Sequence, residues 1–297
     1  DIRFADRLTS IFQQHRPQMV FHAAAHKHLP LMEENPGEAI TNNVLGTRNL
    51  LEVAQEGKVR HFVLISSDKA VNPVNVMGAT KRIAELLVQD AAYHTGDNYV
   101  AVRFGNVLGS RGSVVPLFKK QIAAGGPVTV THPDMERYFM TIPEAVYLVL
   151  QAAAFGQSGE LFVLDMGEPV RIVDLARDLI TLSGLQPDRD IAIEFTGVRR
   201  GEKLRERLFL EGEDYETTRH EKILVLKARS ALVSGELQRA VEQLVGLARR
   251  GAPEADLWLA VKGIVPECST AVPVPAAGAA REARPGPEPR RRPAVAS

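Results

Sequence analysis

The 297-residue chain contains one cysteine, Cys268, which excludes both an intramolecular disulfide framework and a cysteine-based metal site. Such sparing use fits a reducing compartment. Long hydrophobic runs are also missing. The best, Tyr147 to Phe155, is about half of the ~18–20 residues that a membrane span requires, and it contains Gln151. No signal-peptide pattern opens the chain, so the expected location is cytoplasmic. Neither sign of charge is in excess, with 36 lysines and arginines against 36 aspartates and glutamates. Nothing global therefore draws the protein to nucleic acid or to an anionic membrane. A G-x-x-G-x-x-G turn, the backbone cradle that seats a dinucleotide pyrophosphate at a helix N-terminus, occurs nowhere in the sequence.

What is present is an alternation of strand-like and helix-like segments, the pattern of a parallel, doubly wound (Rossmann-like) α/β sheet. Phe4 to His15 is amphipathic, and QMVFHAAA (18–25) reads as a strand. Asn35-Pro36 with Glu38 opens a helix reaching about Gln55, with Asn35 as its cap. The arrangement centres on HFVLISSDKAVNPVNVMGATKR (61–82). HFVLIS is a short apolar run rich in β-branched and aromatic residues, the mark of a buried strand. It ends at Ser66-Ser67-Asp68-Lys69, so two hydroxyls, a carboxyl and an amine sit where open α/β sheets bind ligands. A turn at Asn72-Pro73 leads to a helix on which Met77 and Lys81, four apart, share one face. Strand end and helix face then meet over one pocket. Taken singly, these residues read as a solvated turn pair and a surface lysine; their combined spacing singles them out.

Downstream, YVAVRFGN (99–106) predicts another strand, and a basic turn at 110–113 leads into a helix and the strand PVTVT (127–131). Thr141-Ile142-Pro143-Glu144 is a capping box for a helix to about Phe155. LFVLDMG (161–167), a helix over 171–183, IAIEFTG (191–197) and KILVLKA (222–228) follow. Amphipathic helices over 234–249 and 253–262 are expected to close a smaller lobe. From Pro266 the Pro/Ala/Arg-rich sequence lacks the apolar surface to order itself, and Arg290-Arg291-Arg292 reads as a solubilising tail. His26 and His28, on a loop without carboxylate partners, make a weak case for a metal, and none is expected.

The central stretch has the spacing of the Ser/Thr…Tyr-x-x-x-Lys pocket of short-chain dehydrogenase/reductases. Almost residue for residue it resembles one branch of that superfamily, the nucleotide-sugar 4,6-dehydratases of capsule and O-antigen synthesis (CapD-type polysaccharide-biosynthesis proteins). Further matching phrases are HAAAHKHLPLMEENP (22–36), NNVLGTRNL (42–50), VRFGNVLGSRGSVVPLFKKQIAAGGPVTVTHPDMERYFMTIPEA (102–145), LFVLDMGEPVRIVDLAR (161–177) and RRGEKLRERL (199–208), spanning roughly residues 1 to 228. The resemblance implies a partial NAD-binding domain over 1–107 that lacks its first βαβ unit. It also implies a nucleotide-sugar lobe over 108–265, interleaved with the sheet, and a disordered tail over 266–297. Asp1 and Ile2 would close the strand whose acid contacts the adenine, while Ala23, Ala24 and Ala25 would let the backbone pass close to the cofactor. Asn43 would support the active-site strand, and Ser66, Lys81 and Phe104 would complete the cofactor side. Lys27, Asn106, Arg111, Lys119, Arg137, Arg199 and Glu202 would contact the sugar and diphosphate of a UDP-sugar. An arginine fork suits phosphate oxygens, although each of these charges taken alone is equally a solvated one. The pattern is broken by Met77, where the superfamily has tyrosine, and by Arg200, Arg205 and Arg207, where Pro, Tyr and Glu are usual. Relatives with that Met tend to be large forms with an N-terminal membrane region, and family members often form homo-oligomers.

The implied reaction dehydrates UDP-N-acetylglucosamine or a close relative to the 4-keto-6-deoxy sugar, NAD taking hydride from C4 and returning it at C6. Oxidation at C4 acidifies the C5 hydrogen, so a modest base suffices. Lys69 fits that duty if desolvation and positive neighbours such as Lys81 and the oxidised nicotinamide favour its neutral form. Asp68 fits as the acid for the departing C6 hydroxyl if burial keeps it neutral. A thioether at Met77 cannot take the C4 hydroxyl proton, which leaves Ser67, Lys81 and a water, or Asp68 a second time. A UDP-sugar 4-epimerase is the nearest alternative, and it needs neither the acid nor the base. A truncated, catalytically impaired nucleotide-sugar-binding remnant is the other; without the Gly-rich turn, the strand at 18–25 would be left as an open edge.

Overall fold

The computed structural model describes residues 1–110, 112–210, 212–226 and 234–269. Arg111 and residues 270–297, most of the expected tail, lie outside the described residues. In chain order, α1 (Ala5–His15), β1 (Met19–His22), α2 (Leu29–Glu34), α3 (Pro36–Ala39), a π-helical turn (Ile40–Leu45) and α4 (Gly46–Glu56) lead to β2 (His61–Ile65). A 3-10 turn (Asp68–Ala70), α5 (Val76–Thr95) and β3 (Asn98–Arg103) follow. The next stretch holds β4 (Asn106–Val107), α6 (Val114–Ala123), β5 (Val128–Val130), β6 (Glu136–Arg137), β7 (Phe139–Met140) and α7 (Ile142–Phe155). It continues through β8 (Leu161–Leu164), β9 (Val170–Arg171), α8 (Ile172–Leu182) and β10 (Ile193–Phe195). Last come β11 (Tyr215–Thr217), β12 (Ile223–Leu226), α9 (Ser234–Arg249) and α10 (Glu254–Ile264).

The strands β1-β2-β3-β8-β12-β11 form one sheet, parallel as far as β8 and antiparallel at β12 and β11. Phe62, Val63 and Leu64 are buried on both faces of the sheet, as a continuous apolar run in a parallel sheet requires. The outer side of β1 pairs with nothing among the described residues, and Met19 and Phe21 there are 42% and 43% exposed. The parallel pair β5–β10 packs with α6 and α8 around a second core built on Phe118, Ile122, Val130, Met135 and Ile180. Among the described residues no helix is long and apolar enough to cross a membrane.

Three expectations need correction. The helices α9 and α10 lie on the larger core, against α3 and the π-helical turn, and do not close the smaller lobe. Helix periodicity marked their apolar faces but not the partner of those faces. The expected tail also begins too early, since Cys268 is buried and the Ser269 N–H donates to the Pro73 carbonyl at 3.0 Å. Asn35, placed as a cap, instead turns its amide back to the Leu31 carbonyl at 2.9 Å. The working caps are Asn75, which accepts from the Gly78 N–H at 2.7 Å, and Thr141, which accepts from Glu144 N–H.

Two close contacts fix the centre of the sheet against α5. Glu85 and Arg103, both 0% exposed, form a two-pronged ion pair with both N···O distances at 2.8 Å. Ser66 Oγ donates to the same carboxylate at 2.5 Å, and Arg82 reaches it at 3.0 Å. Burial pushes the Glu85 carboxyl up, yet these cations and the hydroxyl outweigh it and hold it down at about 2. The second contact is steric. A Cβ at Gly78 would sit 2.2 Å from the Lys69 carbonyl oxygen, so only glycine lets the Asp68–Ala70 turn rest on the helix.

Glu85→Gln leaves Arg103 buried without its principal counter-charge, and should lower stability by ~3–5 kcal/mol in urea unfolding; a loss under ~1 kcal/mol would mean the pair adds little. Gly78→Ala should lift the turn from α5, read as faster amide exchange at Ala70 and Val71, whose N–H groups close that turn. Unchanged exchange at those two amides would show that the helix has slack at this point.

Candidate active site

A cavity of about 520 Å³ opens between the carboxyl ends of β2 and β3, the first turns of α5, and the smaller lobe. Ser66, Ser67, Lys69, Met77 and Lys81 all line it, so the strand end and helix face identified in the sequence do share one wall. Lys69 Nζ is 2.9 Å from Asp68 Oδ1 and 3.1 Å from Asn106 Oδ1. Asp68 itself does not line the cavity. Its side chain is wholly buried behind the turn, where Oδ1 also accepts from Ser67 Oγ at 2.9 Å and Oδ2 has no partner. Direct contact between the Asp68 carboxyl and a sugar is therefore not what this geometry provides: the carboxyl reaches the cavity through Lys69 and Ser67.

Lys81 Nζ donates to the Ile65 carbonyl at 2.5 Å. Burial pulls this ammonium down to about 8, against the opposing field of Glu85. The Ser66 hydroxyl is committed to Glu85, so Ser66 offers the cavity its backbone more than its oxygen. Ala23, Ala25 and Phe104 line the cavity, and Ala24 does not. Asn43, in the π-helical turn, accepts from the His26 N–H at 2.8 Å and donates to the His26 carbonyl at 3.1 Å. The same amide reaches Thr80 Oγ1 on α5 at 3.0 Å, so Asn43 stands behind the cavity and ties the loop after β1 to the helix. Asp1 and Ile2 lie apart from the cavity: Asp1 is gripped by Arg3 at 2.6 Å, and Ile2 packs on Gly46.

Lys27, Asn106, Arg137, Arg199 and Glu202 also line the cavity. Arg137 is nearly buried; its Nη1 donates to the Glu136 and Leu204 carbonyls at 2.7 and 3.2 Å, and its Nη2 lies 3.5 Å from Glu202. Lys119 is exposed and faces away, because Phe118 and Ile122 turn the other side of α6 into the lobe core. Arg111 lies outside the described residues. His26 has a carboxylate neighbour after all, Glu38 at 3.4 Å, but no cluster of three or more metal-ligating side chains occurs among the described residues.

Sequence reasoning missed four residues that shape the site. Glu33 accepts from the Val76 N–H at 2.7 Å at the start of α5, and burial leads the causes that raise its carboxyl. Asn75 both caps α5 and donates to the Gly201 carbonyl at 2.8 Å. Lys203 reaches the Val71 carbonyl at 2.7 Å, while Gly78 permits the close contact described above. An Asn directly before a helical pattern is a readable cap signal. Nothing local marks Glu33 or Lys203, because their partners are 43 and 132 residues away.

A family model described as "Polysaccharide biosynthesis protein" matches residues 1–228. The capsular polysaccharide biosynthesis protein CapD of Staphylococcus aureus is 58% identical over 246 residues, which make up 82% of this chain and 41% of that protein. This chain thus spans about two fifths of the length of that curated relative. Among solved structures, Pen from Bacillus thuringiensis is 33% identical with a TM-score of 0.69, covering 82% of this chain and 80% of that one. DesIV from Streptomyces venezuelae, a dTDP-glucose 4,6-dehydratase solved as a double mutant with NAD bound, shares the fold at 20% identity and a TM-score of 0.64, over 70% of this chain and 69% of that one. By the match over its first 228 residues, and by the fold those residues build, the chain belongs to the polysaccharide biosynthesis protein family.

Proposed function

We propose that this chain carries the sugar-modifying chemistry of an NAD-dependent nucleotide-sugar 4,6-dehydratase. Its substrate is a UDP-N-acetylhexosamine, UDP-N-acetylglucosamine first, and its product serves polysaccharide synthesis. One observation carries the reading: an ammonium on the cavity wall, Lys69, is held between a buried carboxylate and the Asn106 amide. Elimination of water across C5 and C6 requires a base for carbon-bound hydrogen and an acid for the leaving hydroxyl, and this pair holds both kinds of group in one turn. The name of DesIV as a dTDP-glucose 4,6-dehydratase and that of CapD as a capsular polysaccharide biosynthesis protein lend support.

The residues present fit the nicotinamide end of NAD. Ala23 and Ala25 leave the backbone open to close approach, Phe104 offers an apolar face, and the buried Lys81 Nζ has donors beyond the one given to Ile65. Bound there, NAD would supply a hydride acceptor for C4 and a hydride donor for C6. Transfer of one proton from Lys69 Nζ to Asp68 Oδ1 across their 2.9 Å bond leaves an amine that takes the C5 proton from a sugar already oxidised at C4, and a carboxyl able to protonate the departing C6 hydroxyl. Protons move between the sugar and Asp68 along the Ser67 hydroxyl, whose 2.9 Å bond to Oδ1 connects the cavity to the buried carboxyl. Arg137 and Arg199, which line the cavity, would face the diphosphate. A 4-epimerase would need no group at C5 or C6, which leaves the Asp68–Lys69 arrangement without a task.

Incubating the full-length protein with UDP-N-acetylglucosamine and NAD should give a nucleotide sugar lighter by one water in mass spectrometry. Conversion to an epimer of unchanged mass would replace this reading with the epimerase. Lys69→Ala in the same protein should cut kcat by ~10²–10⁴-fold with UDP binding retained; near-normal turnover would remove Lys69 as the base. Lys81 gives a pH signature. Between about 8 and the ordinary 10.5 the native amine has lost its proton while the unfolded chain still holds it, so stability rises with pH across that window. Thermal melts from pH 8 to 10.5 should show this climb in the wild type and not in Lys81→Met; parallel curves would mean that Lys81 titrates normally.

A further inference from the structure

The segment from Arg199 to Glu206 crosses the mouth of the cavity, and four of its residues, Arg199, Arg200, Glu202 and Glu206, line it. On one side it is fastened to the smaller lobe. The Leu204 carbonyl accepts from the Glu136 N–H at 2.9 Å and from Arg137 Nη1 at 3.2 Å. On the other side it is fastened to the start of α5 and the turn before it. Asn75 Nδ2 donates to the Gly201 carbonyl at 2.8 Å, and Lys203 Nζ to the Val71 carbonyl at 2.7 Å. Gly201 is seated so tightly, at φ +73°, that a Cβ would meet the Asn75 Cβ at 2.8 Å.

Arg200 adds a connection that the backbone contacts do not make. Its Nε lies 3.4 Å from Glu33 Oε2, the other oxygen of the carboxylate that receives the Val76 N–H. Its Nη2 is bonded to Glu254 in the first turn of α10, where the Trp258 indole N–H also donates to that carboxylate at 3.1 Å. One guanidinium therefore bridges the strap, the capping carboxylate of α5, and a helix that is otherwise remote from the cavity.

We propose that Arg200 is a positioning residue: with Glu33 and Glu254 it ties the 199–206 strap to the first turn of α5 and to α10, and so sets the aperture through which a nucleoside diphosphate is held. The ligand class rests on the function proposed above, while the strap itself does not. If Arg200 is freed, Glu33 loses its cation and keeps only the Val76 N–H, and both the strap and the start of α5 loosen together. A packing role alone would lower the melting temperature and leave the affinity of the folded protein unchanged.

The test is a double-mutant cycle on the full chain with Arg200→Gln, Glu254→Gln and the pair, reading UDP affinity by calorimetry and amide exchange at Val76 and Lys203. Each single variant should weaken UDP binding by about three- to fivefold, the range of a partly exposed ion pair. The double variant should be no weaker than the worse single, because the two groups act as one unit. Exchange at Val76 should quicken in both singles, including Glu254→Gln, whose changed side chain lies on α10. Additive losses, or unchanged affinity and unchanged exchange, overturn the proposal. If the wild type binds no UDP, the proposed function fails on its own account, and the exchange data alone decide the strap: quickened exchange at Val76 in Glu254→Gln upholds it, and unchanged exchange refutes it.

Discussion

The structure turns on a place where there is no room for a methyl group. The carbonyl oxygen of Lys69 lies 2.2 Å from where a Cβ of residue 78 would be, so the turn after β2 and the second residue beyond Val76 on α5 touch backbone to backbone. That contact brings two separate sources of side chains onto one surface. Ser67 and Lys69 come from the strand end, and Met77 and Lys81 from the helix; all four line the same cavity. Spread the two elements by the thickness of one side chain and Lys69 would leave its place opposite Asn106. The glycine is a geometric requirement, and the chemistry is arranged around it.

Charge is buried in this protein mostly in closed sets. Glu85 is met by Arg103 and Arg82, and Arg103 also reaches Glu213 at 3.3 Å, so the sheet centre carries its ions with partners. Asp68 and Lys81 break that pattern. Asp68 keeps one carboxylate oxygen without a hydrogen bond, and Lys81 is held by a neutral carbonyl and a distant carboxylate. Both imbalances cost stability, as any incompletely compensated buried polar group does. Both also lie against the cavity wall. A fold under selection for stability alone has no reason to keep them there, whereas a site that must exchange protons has.

Much of this was legible because the decisive signals are local. The apolar run of β2 announced a buried strand, the polar quartet after it marked the end at which a cavity opens, and the Met77–Lys81 spacing set one helix face against it. Lining by Asn106, Arg137, Arg199 and Glu202 followed from motif likeness. What failed was everything decided by a distant partner. The amphipathic pattern of α9 and α10 is the same whichever surface it covers, so their docking on the larger core could not be read from it. The outward aim of Lys119 depends on how Phe118 and Ile122 seat α6 in the lobe. The retreat of Asp68 behind its own turn depends on a 3-10 geometry that four residues of sequence do not specify.

The methionine at 77 is best understood together with the lysine one turn further on. In the superfamily that this chain resembles, a tyrosine at this position takes the hydroxyl proton. Here the side chain is an apolar thioether, 4% exposed, which hydrates nothing and presents no acceptor to an ammonium. Burial pulls Lys81 down to about 8. A lysine that gives up its proton near pH 8 has a lone pair available to a sugar hydroxyl, which a lysine near 10.5 does not. Within the proposed reaction, a base for the C4 hydroxyl would then stand one helical turn along α5, at residue 81 in place of residue 77.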